Sequence, residues 1–310
     1  MRQYFFNRLL QMIPVLFLVS IIIFFIMHAL PGDPAMLMLA GAEGGAVTPE
    51  RIAELRAQIG LDDPLHIQYF RFITGAVRGD LGTSIRLRTP VTQLIAERFS
   101  STLQLSLVGL GFSITFGLIL GILAALKQNS WFDMISMVFS YIGVSMPIFW
   151  LGLLLILIFC FQLNWFEPAG GTGFKSLILP GITLGLSSAG IVSRLTRSSL
   201  IEVLNEDYIR TARGKGLKEI GVILHHALQN SMIPVVTMIG LQFGSMLAGA
   251  VVTETVFSRP GLGRLIVNAI LWKDYPLVQG SVLVLALIYL LVNLLVDISY
   301  AWLDPRIHYN

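Results

Sequence analysis

Long uninterrupted apolar runs restrict the fold of this chain more than any other feature. Five runs reach the roughly 20 residues needed to cross about 30 Å of hydrocarbon, and a sixth is diluted by Gly, Ser and Thr. The predicted spans are Leu9 to Leu30, Leu103 to Leu126, Met134 to Phe161, Leu177 to Leu195 (the diluted run), Met232 to Phe257 and Ser281 to Leu303. With 55% hydrophobic and 13% charged residues, a soluble domain would lack polar surface. We therefore predict an all-α polytopic membrane protein with six transmembrane helices and a single domain over residues 1–310.

The basic residues of the short connecting segments fall on one side of a six-span arrangement. They are Arg2, Arg8, Lys127, Arg194, Arg197, Arg210, Arg213, Lys215, Lys218 and Arg306. Because short cytoplasmic loops are enriched in Lys and Arg, both termini are predicted to be cytoplasmic. The first apolar run is longer than a cleavable signal core of about 7 to 15 residues, so it is predicted to stay as an anchor.

The external loop, residues 31–101, carries signals for two short helices. Thr48 and Pro49 suit the start of the first helix and Gly60 suits its end. The second helix, Leu65 to Val77, is amphipathic. It either packs against the transmembrane bundle or lies on the membrane surface over the translocation path.

Two features inside the spans concern helix packing. Gly117 and Gly121 form a GxxxG step that favours close helix approach. Pro14 and Pro147 are expected to kink or break their helices.

Two acids, Glu254 and Asp297, lie near the ends of predicted spans. A charge in a membrane is costly, so each acid is either part of a structural pair or part of a gate. Glu254 is followed by the turn Pro260, Gly261 and Gly263, and an acid beside a rigid turn can pair differently in two states. Gln242 and Ser245 are among the polar residues able to line a passage for a polar solute. No residues form a catalytic or metal-binding constellation, and Cys160 is the only cysteine.

A polar segment, residues 197–231, lies between the fourth and fifth spans. Asn205 is a candidate N-cap, acidic residues follow it, and Gly214 and Gly216 are placed to end a helix of about two turns. Leu217, Ile220, Leu224 and Leu228 then recur at helical spacing. We predict a helix-turn-helix that projects from the cytoplasmic face.

Motifs along the whole chain resemble those of ABC-importer permeases, specifically the dipeptide, oligopeptide and nickel branch. They are Tyr208 to Leu217 with Asn230 and Pro234, Leu30-Pro-Gly-Asp-Pro34, Leu61-Asp-Asp-Pro-Leu65, Gly79-Asp-Leu-Gly82 with Ser84 and Pro90-Val91, Gly143-Val-Ser-Met-Pro147, Glu254 with Val256-Phe257, Pro260-Gly-Leu-Gly-Arg264, Asp274-Tyr-Pro276 and Asp304-Pro-Arg306. Many permeases carry Glu-Ala-Ala before the loop glycine, whereas this chain has Arg210-Thr211-Ala212, as the peptide branch does.

The resemblance implies a type I ABC-importer permease in a prokaryotic inner membrane, working with a second permease, two ATPase subunits and an external substrate-binding protein. ATP and Mg would bind only to the ATPase subunits, and the chain indeed has no P-loop motif. The implied coupling residues are Asp207, Tyr208, Arg210, Thr211, Ala212, Arg213, Lys215, Gly216 and Leu217. The solute stays open among dipeptides, oligopeptides, glutathione and nickel chelates.

Two other functions are weighed against this one. An ion-coupled secondary transporter would need mid-membrane acids and inverted repeats, and neither is evident. A membrane-embedded protease of the metal-dependent kind would need an HExxH motif, and the sequence has none. We therefore expect a transport subunit that is not itself an enzyme and that binds no nucleic acid.

Overall fold

The computed structural model describes residues 2–29, 31–36, 39, 48–170 and 173–303. Within them the regular structure is helical. The helices are α1 (Arg2–Ala29), α2 (Pro49–Ile59), α3 (Leu65–Val77), α4 (Val91–Leu126), α5 (Trp131–Ser145), α6 (Ile148–Gln162), α7 (Lys175–Leu204), α8 (Asp207–Gly214), α9 (Glu219–Val256), α10 (Leu262–Trp272) and α11 (Tyr275–Leu303). Leu30 and the motif Asp304 to Arg306 lie outside the described residues.

Five helices are long and apolar enough to cross a membrane, and a bent pair supplies a sixth span if it is counted as one. The predicted third span, Met134 to Phe161, is this pair: α5 and α6 meet at a bend of 110°. Met146 is extended there (φ −75°, ψ 130°), because a proline at position 147 disfavours helical geometry in the residue before it. The predicted break at Pro147 is confirmed, whereas Pro14 lies within the continuous helix α1.

The chain divides into two compact units. The N-terminal unit comprises residues 2–101 and 260–291, and the central unit comprises residues 102–259 and 292–310.

In the central unit, α7 is the most enclosed helix. Two thirds (67%) of its most apolar window is buried, against 33% or less in the other four single-helix spans. A Cβ added to Gly117 or Gly121 of α4 would come within 3 Å of Val192 or Thr196 of α7. The predicted GxxxG packing is therefore confirmed. The small residues Gly, Ser and Thr lower the hydropathy of α7, and the same residues allow the neighbouring helices to approach it closely.

In the N-terminal unit, α3 packs on α1. The hydroxyl groups of Tyr69 and Ser20 are 2.9 Å apart, and the Tyr69 ring lies edge-on to Phe24 with centroids 5.3 Å apart. Of the two predicted positions for α3, packing against the transmembrane bundle is therefore the one observed. The predicted bounds of α2 are also confirmed, with Pro49 in its first turn and Gly60 left-handed at φ +71° after its end.

Candidate functional site

The segment between α7 and α9 folds into the two-turn helix α8. Asp207 lies in its first turn and Arg213 in its last, where each charge opposes the nearest end of the helix dipole. The prediction that Asn205 caps this helix is wrong, because Asn205 is still helical (φ −91°, ψ −5°) and ends α7. Glu206 takes the cap position with an extended backbone, and its carbonyl accepts hydrogen bonds from the amides of Ile209 and Arg210 at 3.0 and 3.3 Å.

Gly216 forms the turn between α8 and α9. Its φ is +79°, a region that costs an L-residue about 1–2 kcal/mol and glycine almost nothing. Its amide donates to the carbonyl of Arg213 at 3.0 Å, which fixes the turn against the end of α8. No atom of the described residues lies within 4 Å of the position a Cβ would occupy. The requirement for glycine here therefore comes from backbone conformation and not from crowding.

An ion pair joins the two sides of this turn. The guanidinium of Arg213 donates to both carboxylate oxygens of Glu219, with Nη2 to Oε1 at 2.7 Å and Nε to Oε2 at 3.1 Å. These hydrogen bonds raise the pKa of Arg213 above its usual range. Because both side chains are solvent-exposed, we assign the pair to holding the angle between α8 and α9 more than to stability.

One side of α8 is anchored in the central unit. Ile209 is fully buried and Ala212 is nearly so. They join a cluster with Ala125 of α4, Leu200 of α7 and Val222 of α9. A displacement of α8 therefore pushes on the ends of three long helices at once, since close-packed side chains transmit movement.

The opposite side of α8 and the first turn of α9 face solvent. Tyr208, Leu217 and Ile220 expose 42%, 48% and 72% of their surface. Tyr208 is nevertheless oriented, because its hydroxyl accepts a hydrogen bond from Asn230 of α9 at 2.9 Å. The remaining predicted residues on this face, Arg210, Thr211 and Lys215, are exposed too. The result is a mixed apolar and basic surface of the kind that receives a partner protein.

A partly buried ion pair near this end of the central unit was missed by sequence reasoning. Arg197 of α7 donates from Nε to Asp133 Oδ1 at 2.5 Å and from Nη2 to Asp133 Oδ2 at 2.7 Å. Asp133 also accepts from the amide of Asn129 at 3.0 Å. An acid directly before an apolar run was the available signal, but nothing in the sequence identifies its partner 64 residues away.

Glu254 is fully buried near the end of α9. The hydroxyl of Thr102 donates to its Oε1 at 2.5 Å, and the amide of Arg259 donates to its backbone carbonyl at 2.8 Å. Arg259 is also buried, and its Nη1 donates to the carbonyl and the hydroxyl of Ser176 at 3.1 Å. Burial lowers the pKa of Arg259, and the charge of Glu254 opposes that shift. Glu254 therefore belongs to a buried network of opposite charges and hydroxyl groups.

The other predicted gate and pathway residues lie in different surroundings. Gln242 is half-buried on α9, while Ser245 is exposed and bonds only weakly, at 3.5 Å, to the carbonyl of Leu241. Pro260, Gly261 and Gly263 belong to the N-terminal unit, where Gly261 is the extended residue that begins α10.

Comparison with known proteins gives consistent results along the whole chain. Residues 117–309 match the family described as binding-protein-dependent transport system inner membrane component, and residues 1–106 match the N-terminal family of the same membrane components. The glutathione transport system permease protein GsiC of Salmonella paratyphi A is 47% identical over 310 residues, covering all of both chains. The protein of the same name from Escherichia coli is 46% identical with the same coverage.

Among solved structures, an inward-facing MetNI methionine ABC transporter chain aligns with a TM-score of 0.59 at 18% identity, covering 68% of this chain and 97% of that one. At that identity the likeness shows the fold alone. It confirms the predicted ABC-importer permease architecture. None of these relatives supports an ion-coupled transporter.

Proposed function

Because the chain belongs to the family of binding-protein-dependent transport system inner membrane components and is the permease subunit of a peptide-type ABC importer, we propose that it forms half of the translocation path for a short peptide. A second permease of the same kind supplies the other half. An external binding protein delivers the solute, and two ATPase subunits bind ATP and Mg and hydrolyse the nucleotide. Residues 1–310 act as one transmembrane domain in this proposal.

The names of the relatives narrow the proposed solute. GsiC is named as a glutathione transport permease, and glutathione is a tripeptide. We assign this chain to glutathione or a short peptide of similar size, and we assign no nickel transport to it.

The proposed coupling mechanism rests on one observation, that α8 has one buried side and one exposed side. Its buried side contacts three long helices, and its other side presents Tyr208, Arg210 and Leu217 to solvent. An ATPase subunit seated on the exposed side would move α8 as a rigid body when it binds ATP. The buried side would pass that movement to α4, α7 and α9, and the bundle would switch which side of the membrane it opens to.

The proposed orientation places α8 and both termini in the cytoplasm and the external loop outside. Position 210 and position 50 are both solvent-exposed, so each can carry a reporter cysteine once Cys160 is replaced by alanine. In intact cells, we expect a membrane-impermeant maleimide to label a Glu50→Cys variant and to leave an Arg210→Cys variant unlabelled until the membrane is permeabilised. In the assembled complex, the cysteine at position 210 should cross-link to an ATPase subunit.

Labelling of position 210 from outside would overturn the orientation. If position 210 is labelled only after permeabilisation but never cross-links to an ATPase subunit, the proposed contact between α8 and the ATPase is wrong and the proposed orientation is still supported. The Glu50→Cys variant serves as the matched control for both results, because it should label and never cross-link.

A further inference from the structure

A cavity of about 380 Å³ lies within the N-terminal unit. It is bounded by α1, the helices α2 and α3, residues 80–85 and the first turns of α11. Its walls are mainly apolar, and they include Phe24, Leu61, Phe72, Leu81, Ile85 and Pro276. A volume of this size accommodates a small organic molecule.

Two polar side chains of α11 line this cavity and have no hydrogen-bond partner among the residues that the structure describes. Tyr275 and Gln279 lie one helical turn apart and line the cavity together. They are only 8% and 5% exposed. Among the described residues, no group hydrogen-bonds to the Tyr275 hydroxyl or to the Gln279 amide. Both side chains open onto the cavity, where a polar group without a protein partner is available to one supplied by a ligand.

Four other polar side chains that line the cavity are already engaged. His28 contacts the carbonyl of Phe24 through Nδ1 at 2.8 Å and Oε1 of Gln68 through Nε2 at 3.1 Å. The orientation of the Gln68 amide is fixed, because its Nε2 donates to the carbonyls of Leu61 and Asp63 at 3.0 and 2.7 Å.

The charged groups on the wall are paired as well. Arg71 donates to Asp63 at 2.5 Å, and Asp80 accepts from the amide of Gly82 at 2.9 Å. On α11, the polar groups available to a ligand are therefore both uncharged: the phenol of Tyr275 and the amide of Gln279.

The wall that carries them is rigid. One carboxylate oxygen of the buried Asp274 accepts hydrogen bonds from the Ser84 hydroxyl at 2.5 Å and the Arg86 amide at 3.1 Å. The other oxygen accepts from the amide of Leu277 in the first turn of α11. This joins the loop around residue 84 to the start of α11, so the two open groups are held in place before a ligand arrives, which lowers the entropic cost of binding.

We infer that this cavity binds the uncharged amide portion of a short peptide together with an apolar side chain. A primary amide presents a donor and an acceptor side by side, which complements the N–H and C=O of a peptide group. The phenol of Tyr275 adds a third hydrogen bond, and the apolar walls receive the side chain. The identification of this molecule with the transported solute rests on the proposed function, whereas the binding site itself does not.

The test is to titrate the assembled complex with N-acetyl-leucine amide and to measure the Kd by saturation-transfer NMR. Each neutral hydrogen bond contributes about a two- to tenfold change in affinity. We therefore expect Tyr275→Phe to raise Kd about two- to tenfold, and Gln279→Met, which removes two bonds at similar volume, to raise it at least fivefold. Gln93→Met is the matched control, since Gln93 is exposed and bonds to Glu97.

Absence of binding to the wild-type complex, or equal binding by the wild type and Gln279→Met, would overturn this inference. Binding that depends on Gln279 supports it. If that dependence holds while the wild-type complex shows no ATP-driven peptide uptake, the proposed transport function fails and the amide site stands.

Discussion

Replacing Gly216 by valine should uncouple the protein, with a fall in peptide uptake of at least about tenfold. Gly216 sits at φ +79°, where a β-branched residue is a severe conformational outlier. Since no atom in the described part of the chain crowds the Cβ position, we expect the whole effect to come from the backbone. The turn would change its angle, and α8 would leave the orientation in which Ile209 and Ala212 are buried. We expect the ATPase subunits to dissociate or to hydrolyse ATP without transport.

Two matched variants separate this mechanism from general damage. Gly221→Val introduces the same side chain into the first turn of α9. This glycine has no positive φ, and none of the atoms that the structure describes lies within 4 Å of its Cβ position, so uptake should be retained. Gly216→Asn introduces a side chain that tolerates the left-handed region, so it should keep at least half of the uptake. Normal uptake and assembly in Gly216→Val would refute the role assigned to this turn.

Replacing Glu254 by glutamine should leave the complex assembled but lower the peptide transported per ATP hydrolysed by at least about tenfold. Glutamine keeps the shape of the side chain and an oxygen to accept the hydrogen bond of Thr102. It removes the charge that acts on the buried Arg259. Glu254→Ala removes the same charge, at a cost of about 3–5 kcal/mol of stability, and it should cost more than Glu254→Gln because it also removes the acceptor of the Thr102 hydroxyl and leaves a cavity.

A gating role for Glu254 is tested by comparing a variant that loses the charge with a variant that loses only the hydrogen bond. Thr102→Val removes the hydrogen bond and keeps the carboxylate, so it should affect coupling less than Glu254→Gln. Glu167→Gln, at an exposed position in the same unit, should behave as the wild type. If uptake and ATP hydrolysis stay coupled in Glu254→Gln, Glu254 has only a structural role.

The parts of the fold that depend on neighbouring residues were predictable from the sequence. The end of α8, the glycine turn after it, the external helices and the break at Pro147 all follow from caps, φ preferences and proline geometry within a few residues. The misplaced cap at Asn205 shows the limit of such local rules. Asparagine also ends helices, and α7 extends far enough to include this residue in its final turn.

The parts that depend on distant residues could not be predicted. Asp133 meets Arg197 across 64 residues, and Thr102 meets Glu254 across 152. A single sequence shows which residues are charged, but it does not show which of them are in contact in the folded chain. The weak hydropathy of α7 is another case, because its small and polar residues suit a helix enclosed by other helices, and the same composition predicts only a marginal lipid-facing span.

We propose that an ATPase acting on α8 drives a peptide through a path that this chain helps to form. The most direct test is uptake of glutathione and of a dipeptide into vesicles that contain this chain, the second permease, the ATPase subunits and the binding protein. We predict uptake that requires ATP on the α8 side of the membrane and that falls to background when the ATPase subunits are left out. Uptake that continues without them, or that follows an ion gradient instead of ATP, would contradict the claim.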